Sequence, residues 1–449
     1  MGRPISRKPA RTIAGSRKAY SQRGKFMSVG VRQNKDIERG PASIRLSGIE
    51  GLRGLAAGVV VFHHVASYLS GKDAGVLFEV SKLCAHGLTL FFALSGFLLF
   101  KPFVEAIIGG AAAPSLKRYA MNRAVRIYPA YIVILVTVSV FIGAAFTGGA
   151  PELNMPDPVG FIHDPVMLIV NALIIQTYVP GFILTGIGPA WSLTAEVLFY
   201  FLLPVICWCM RRLVAAGVSK WVAILTPIGV LIATGITITI WAAGLKSGLD
   251  PLAKYEASWG QTWSAVLERS FFGQADLFAY GMLAAVALVV LRTGGISMIV
   301  QPKVLITGCA VSGLVVLSLL AVPTLFGNAI GVAAGLLILG VTVPFMRQSR
   351  NRNSLASILE IAPLRYLGLI SYSVYLWHVP VIWWLRERGF TAGPDPEGLL
   401  LNTVLIAFTT LALAVVTFHV LENPAMKMNR KWQKTRLVPS SFSQGRRAL

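Results

Sequence analysis

The first apolar stretch runs Ile49-Glu50-Gly51-Leu52-Arg53-Gly54 through Phe62-His63-His64 and carries an arginine and a histidine at a telling spacing. Arg53 and His64 stand eleven residues apart. At about 3.6 residues per turn that is almost a whole number of turns, so a helix projects both from one face, about 16 Å apart. Glu50 falls one turn before Arg53 on the same stripe. Neutral imidazole accepts a proton near neutral pH, which is what activating a hydroxyl requires. If the helix spans a membrane, Arg53 marks its polar end and His64 lies near mid-bilayer. An ionisable side chain at that depth is costly and is a functional-site hypothesis by default. His63 points about 100° away and is expected to pack against a neighbour.

Four further constellations follow. Arg123 and Arg126, in Asn122-Arg123-Ala124-Val125-Arg126-Ile127-Tyr128-Pro129, share a helix face. Two guanidinium forks there could clamp phosphates. Ser192 and Glu196 lie one turn apart near the start of an apolar run, and Asp276 occupies a comparable place in another. An acid inside a membrane helix usually faces a cavity or a partner. Ser371, Tyr375 and His378 form a polar stripe in an apolar helix, suited to interhelical hydrogen bonds or substrate contact. Ser95-Gly96 reads as a close helix approach, and Glu422 could pair with the arginine cluster.

The elements that must position these residues are membrane helices. The 449 residues are 55% hydrophobic and only 13% charged, against about 25% charge in soluble domains. Apolar runs fall at about 54–71, 84–100, 127–148, 191–210, 221–243, 270–291, 304–322, 327–346, 366–385 and 399–421, each near the length a bilayer needs. Ten spans with both termini cytoplasmic place 34 of the 41 Lys and Arg residues inside, as positive-inside topology demands. The shorter run Val166–Tyr178 would invert every later loop if it crossed, so it is expected to be external or half-inserted. The long outer loop 148–190 suits a binding lobe. The expectation is therefore an all-α polytopic bundle over residues 47–424. A basic disordered cytoplasmic arm over 1–46 precedes it, and a basic cytoplasmic tail over 425–449 follows.

The formal charge of +22 is concentrated in the two ends, which suits anionic membrane lipids rather than nucleic acid. The four cysteines (Cys84, Cys207, Cys209 and Cys309) have no metal or disulfide spacing and are expected to be packing residues.

Five ordered motifs make the chain resemble the acyltransferase-3 family of bacterial integral-membrane O-acyltransferases. These are the Glu50-Gly-Leu-Arg53 to His64 spacing, Phe91-Phe-Ala-Leu-Ser95-Gly96-Phe97, and Arg123-Ala-Val-Arg126 with Ile-Tyr-Pro. Trp191-Ser192-Leu-Thr-Ala-Glu196 and Ile370-Ser371-Tyr372-Ser-Val-Tyr375-Leu-Trp377-His378 complete the set. The resemblance implies a cytoplasmic acyl-CoA donor, acetyl-CoA in the simplest case, as co-substrate with no bound cofactor. It also implies an acceptor hydroxyl presented from outside, on an envelope glycan or glycolipid, at a bacterial plasma membrane. His64, Glu196 and Glu50 would be the catalytic set, and Arg53, Arg123 and Arg126 would bind the donor. Ser192, Asp276, Ser371, Tyr375 and His378 would make acceptor or structural polar contacts. The position before Leu90 is often charged or polar in the family, and Thr89 fills it here. Two other readings are acylation of a small secondary metabolite such as a macrolide and a lipid-linked-sugar flippase. The flippase would need no base.

Overall fold

A computed structural model describes residues 46, 48–148, 159–293, 313, 316, 321–343 and 354–435. The basic arm, most of the span expected at 304–322, Cys309 and the end of the tail lie outside the described residues. The architecture is helical. Its only described sheet is a two-stranded ribbon pairing β1 (Ala145–Phe146) with β2 (Val159–Gly160).

The long helices are α1 (Ile49–Leu69), α3 (Gly87–Ile108), α4 (Leu116–Val136), α6 (Trp191–Ala215) and α7 (Lys220–Leu245). Among them also are α10 (Ala275–Thr293), α11 (Phe326–Thr342), α13 (Ala362–Glu387) and α14 (Pro396–Thr417). Shorter helices are α2 (Val76–Cys84), α5 (Pro165–Ala172), α8 (Pro251–Trp259), α9 (Trp263–Arg269), α12 (Ser354–Leu359) and α15 (Asn423–Thr435). Among the described residues, 8 helical segments are long and apolar enough to cross a membrane. They include every long helix but α13, whose Ser371, Ser373, Tyr375 and His378 dilute its apolar content. Large apolar side chains face outward, Phe201 at 71% exposure and Phe408 at 73%. An apolar outer surface around backbone satisfied within helices is the form lipid permits.

Several ends differ from the hydropathy reading. The third span begins at Leu116, where Ser115 caps the first turn, and it does not reach residue 148. After a π-helical turn at Thr137–Phe141, Gly143 takes a positive φ of 62° and the chain enters β1. Val166–Tyr178 is not a continuous helix: α5 ends at Ala172. Asp164 caps α5 by accepting from Val166 N–H. Asp250 and Asp395 cap α8 and α14 in the same Asp-Pro context, the proline supplying a helix-ready first residue.

Contact order along the chain fixes relative directions. Arg53 meets Ser371, His64 meets His378 and Tyr68 meets Trp383, so α1 and α13 run parallel. Asn328 meets Asp276 and Gly335 lies against Tyr280, so α10 and α11 are also parallel. By contrast, Arg123 of α4 lies over Tyr200 of α6, while the earlier Tyr119 senses the later Cys207. These two helices are antiparallel, so the intervening 165–178 segment makes no net crossing.

One apolar core gathers around α3, α6 and α10 and a second around α4, α13 and α14, with α1 contributing to both. The α1–α13 contact is close because Gly368 lies against the backbone carbonyl of Glu50, where a Cβ would collide. Gly368→Ala is expected to overpack this crossing by about 1–3 kcal/mol. The check is thermal unfolding in detergent: a lowered midpoint is expected, and an unchanged one contradicts the close packing.

Candidate active site

Parallel α1 and α13 bring the two polar stripes face to face. His64 Nδ1 lies 3.0 Å from the Val60 carbonyl and 3.2 Å from His378 Nε2. His378 Nδ1 lies 2.7 Å from the Tyr375 carbonyl. Carbonyls only accept, so each Nδ1 carries a hydrogen, and His378 Nε2 accepts from His64. The arrangement leaves His64 Nε2 with a lone pair. His63 Nδ1 lies 3.0 Å from the Ser81 carbonyl of α2.

Both histidines of α1 line a cavity of about 330 Å³. Its other walls include Thr89, Trp191, Trp259, Arg269, Asp276 and Asn328. Asp276 is buried and accepts a 2.6 Å hydrogen bond from Asn328 Nδ2. Arg269 lies 3.5 Å above the Trp259 ring, and its Nε donates to the Ser258 carbonyl. An adjoining cavity of about 90 Å³ also reaches His63 and His64.

A smaller cavity of about 60 Å³ lies on the arginine side, lined by Arg53, Phe91, Ser95, Ser192, Glu196, Ser371 and Tyr375 among others. Arg53 Nε and its terminal nitrogen reach Ser371 Oγ at 3.4 Å. Glu196 accepts from Ser95 Oγ at 2.5 Å and from Tyr200 OH at 2.6 Å. Glu196 is not among the residues that line the two histidine cavities. Pro189 and Trp191, at the start of α6, line the histidine cavity, and Glu196 lies further along the helix in the arginine cavity. Ser95 is likewise more than a packing residue. Gly96 alone makes the close approach, against the Phe278 carbonyl.

Tyr375 lines both cavities. Its OH donates to the Pro189 carbonyl at 2.8 Å and is 2.6 Å from Ser192 Oγ. Arg123 and Arg126 sit on α4 and act electrostatically on Arg53. Arg123 Nε has no hydrogen-bond partner among the described residues. Glu422 is buried, accepts from Ser373 Oγ, and feels Arg126 and Arg53. Glu50 lines none of these three cavities.

The sequence reading missed the Trp259–Arg269 wall. Its signal was present in two short helices with Asp250 and Thr262 as caps, which hold an aromatic and a guanidinium at their ends.

His378→Leu removes the second acceptor on His64 Nδ1, whereas His378→Gln places an amide oxygen within reach of it. Leu is expected to lower turnover about tenfold and Gln by less, with substrate KM little changed. Equal losses in both variants would show that His378 only fills space.

The half-buried His64 of this polytopic helical bundle lines two adjoining cavities. The sequence pattern described as an acyltransferase domain matches residues 46–419, and the chain belongs to the acyltransferase-3 family. It is similar to the acyltransferase MdmB of Streptomyces mycarofaciens, 25% identical over 86% of this chain and 93% of that protein. The O-acetyltransferase OatA of Staphylococcus aureus is 24% identical over 88% of this chain, which spans 60% of that protein's length. Protein 2 in the picA locus of Rhizobium radiobacter is 28% identical over 33% of this chain. No solved structure is a significant match. The protein is thus a multi-pass membrane enzyme that transfers acyl groups.

Proposed function

We propose that the protein transfers an acyl group, acetyl in the simplest case, from cytoplasmic acyl-CoA to a hydroxyl of an envelope glycan or glycolipid at a bacterial plasma membrane. The observation that carries this reading is the bare Nε2 of His64, held open by two acceptors on Nδ1 at the wall of the larger cavity.

The acceptor hydroxyl gives its proton to His64 Nε2 as its oxygen bonds to the thioester carbonyl carbon. Collapse of that adduct breaks the C–S bond. The departing thiolate takes the proton back from His64, so the products are an O-acyl ester and free thiol. The hydrogen bond from Nδ1 to neutral His378 supports the imidazolium while it exists. Arg53, Arg123 and Arg126 supply positive charge for the donor phosphates, with guanidinium forks suited to them. Glu196, held by Ser95 and Tyr200, orients Arg53 within that electrostatic group. Ser192 and Tyr375 form the polar partition between donor and acceptor cavities, and Ser371 holds Arg53. Asp276 and Asn328 offer the acceptor polar contacts in the larger cavity. Trp191 and Trp259 add aromatic faces there.

Mass spectrometry of glycans and lipids from a strain lacking the protein tests the reading. Loss of an ester-linked acyl mass, restored by the wild-type chain, is expected. An unchanged ester profile in both fractions contradicts an envelope acceptor.

A further inference from the structure

The helix that carries Arg123 and Arg126 is weakened just beyond them. Pro129 lies inside α4. Proline has no N–H, so the Val125 carbonyl loses the helical bond it would accept from residue 129. The arginine-bearing turns are thereby tied less firmly to the rest of α4, since proline is a usual place for a helix to kink. Contacts from outside the helix then decide where the two guanidinium groups point.

Such contacts come from three sides. The Arg123 guanidinium carbon lies 5.8 Å from the centroid of the Tyr200 ring of α6. Tyr372 of α13 donates its OH to the Ile127 carbonyl at 3.0 Å. On the third side, Asn122 Oδ1 accepts from Asn429 Nδ2 at 2.8 Å and from Gln433 Nε2 at 2.9 Å, both on α15. Gln433 Nε2 also reaches Asn429 Oδ1 at 3.0 Å, so the three amides close into one cluster.

The register is regular. Asn429 and Gln433 share a face of α15 one turn apart, as Asn122 and Arg126 do on α4. Arg126 is among the charges acting on Glu422, which precedes α15. The two segments therefore run antiparallel, with Asn122 beside Asn429 and Gln433 and with Arg126 toward Glu422. All of α15 lies beyond residue 419, where the match to the family pattern ends.

We infer that α15 positions the two donor arginines. Its amide cluster on Asn122 holds the turns of α4 that carry Arg123 and Arg126, and so governs how well the enzyme reads the phosphates of its acyl donor. Asn122, Asn429 and Gln433 are positioning residues that act through the arginines. The inference rests on the acyl-CoA reading above and adds to it the element that keeps the phosphate site in place.

The test compares acetyl-CoA with S-acetylpantetheine, which offers the same thioester without phosphates. Full-length protein in nanodiscs receives either donor, with an envelope fraction from a strain lacking the protein as acceptor, and released thiol is read. Wild type is expected to prefer acetyl-CoA in kcat/KM. Asn122→Ala is expected to lower that preference about fivefold, roughly the worth of one lost hydrogen bond. The change should fall on KM for acetyl-CoA, with S-acetylpantetheine turnover unchanged. Gln433→Ala leaves the Asn429–Asn122 bond in place, so its loss should be smaller, and it serves if Asn122→Ala does not fold. Adding Asn122→Ala to a protein already carrying Arg123→Ala and Arg126→Ala is expected to change the preference no further. An unchanged preference in the folded single variants overturns the inference. Equal losses with both donors, or a further loss where the arginines are already gone, overturn it as well. A wild type that does not prefer acetyl-CoA over the phosphate-free thioester overturns the donor reading beneath, and the inference with it.

Discussion

His64→Ala is expected to lower esterification by about 10²–10⁴-fold, the range that a positioned general base contributes, while donor binding is retained. The retained binding follows from geometry. His64 lines the larger cavity, whereas Arg53 and Glu196 line the smaller one. Removing the imidazole also frees the Val60 carbonyl and His378 Nε2 of a shared donor, a local change that leaves the α1–α13 glycine contact intact. The measurement is initial rate of ester formation alongside acyl-CoA affinity, in protein shown to be inserted and folded. Unchanged esterification eliminates His64 as base. A transient acyl-histidine is the alternative chemistry if donor and acceptor bind in different cavities, as proposed. Single-turnover exposure to radioactive acyl-CoA without acceptor separates the two: protein-bound label favours the acyl-enzyme, and its absence favours direct transfer.

Arg53→Gln has the second-largest expected effect, and it should appear in KM for acyl-CoA more than in kcat. Hydrogen bonds to charged groups are worth about 1.5–3 kcal/mol, which corresponds to roughly 10–100-fold in affinity. Arg53 contributes in two ways: it meets Ser371 Oγ and it balances Glu196 within one cavity. Arg53→Lys keeps the charge but loses the planar fork, so its loss should be smaller. Steady-state kinetics with varied acyl-CoA decide the matter. A fall in kcat at unchanged KM would place Arg53 in the chemical step instead.

The Arg53–His64 pair was legible because helical periodicity alone puts both on one face. The helical membrane bundle was legible through hydropathy, and 8 candidate spans stand among the described residues. Which residues meet across helices was not legible. Hydropathy marks where a helix lies but carries no register between helices, so the His64–His378 contact could not be read from either stripe. Glu196 illustrates the same gap: its depth in α6 was approximate, and its partners Ser95 and Tyr200 set its cavity. The early start of α4 was obscured because Lys117, Arg118, Arg123 and Arg126 lower its hydropathy, although Ser115 offered a cap. Short polar helices such as α8 and α9 leave no apolar run, and only their caps announce them.

The most direct test of the account uses membrane vesicles exposing the cytoplasmic face, supplied with deuterated acetyl-CoA. Wild-type protein is predicted to place the deuterated acetyl mass as an ester on an envelope glycan or lipid, and vesicles carrying His64→Gln at equal folded abundance are predicted to show none. Equal deuterium incorporation with both proteins would contradict His64 as the base that joins donor to acceptor.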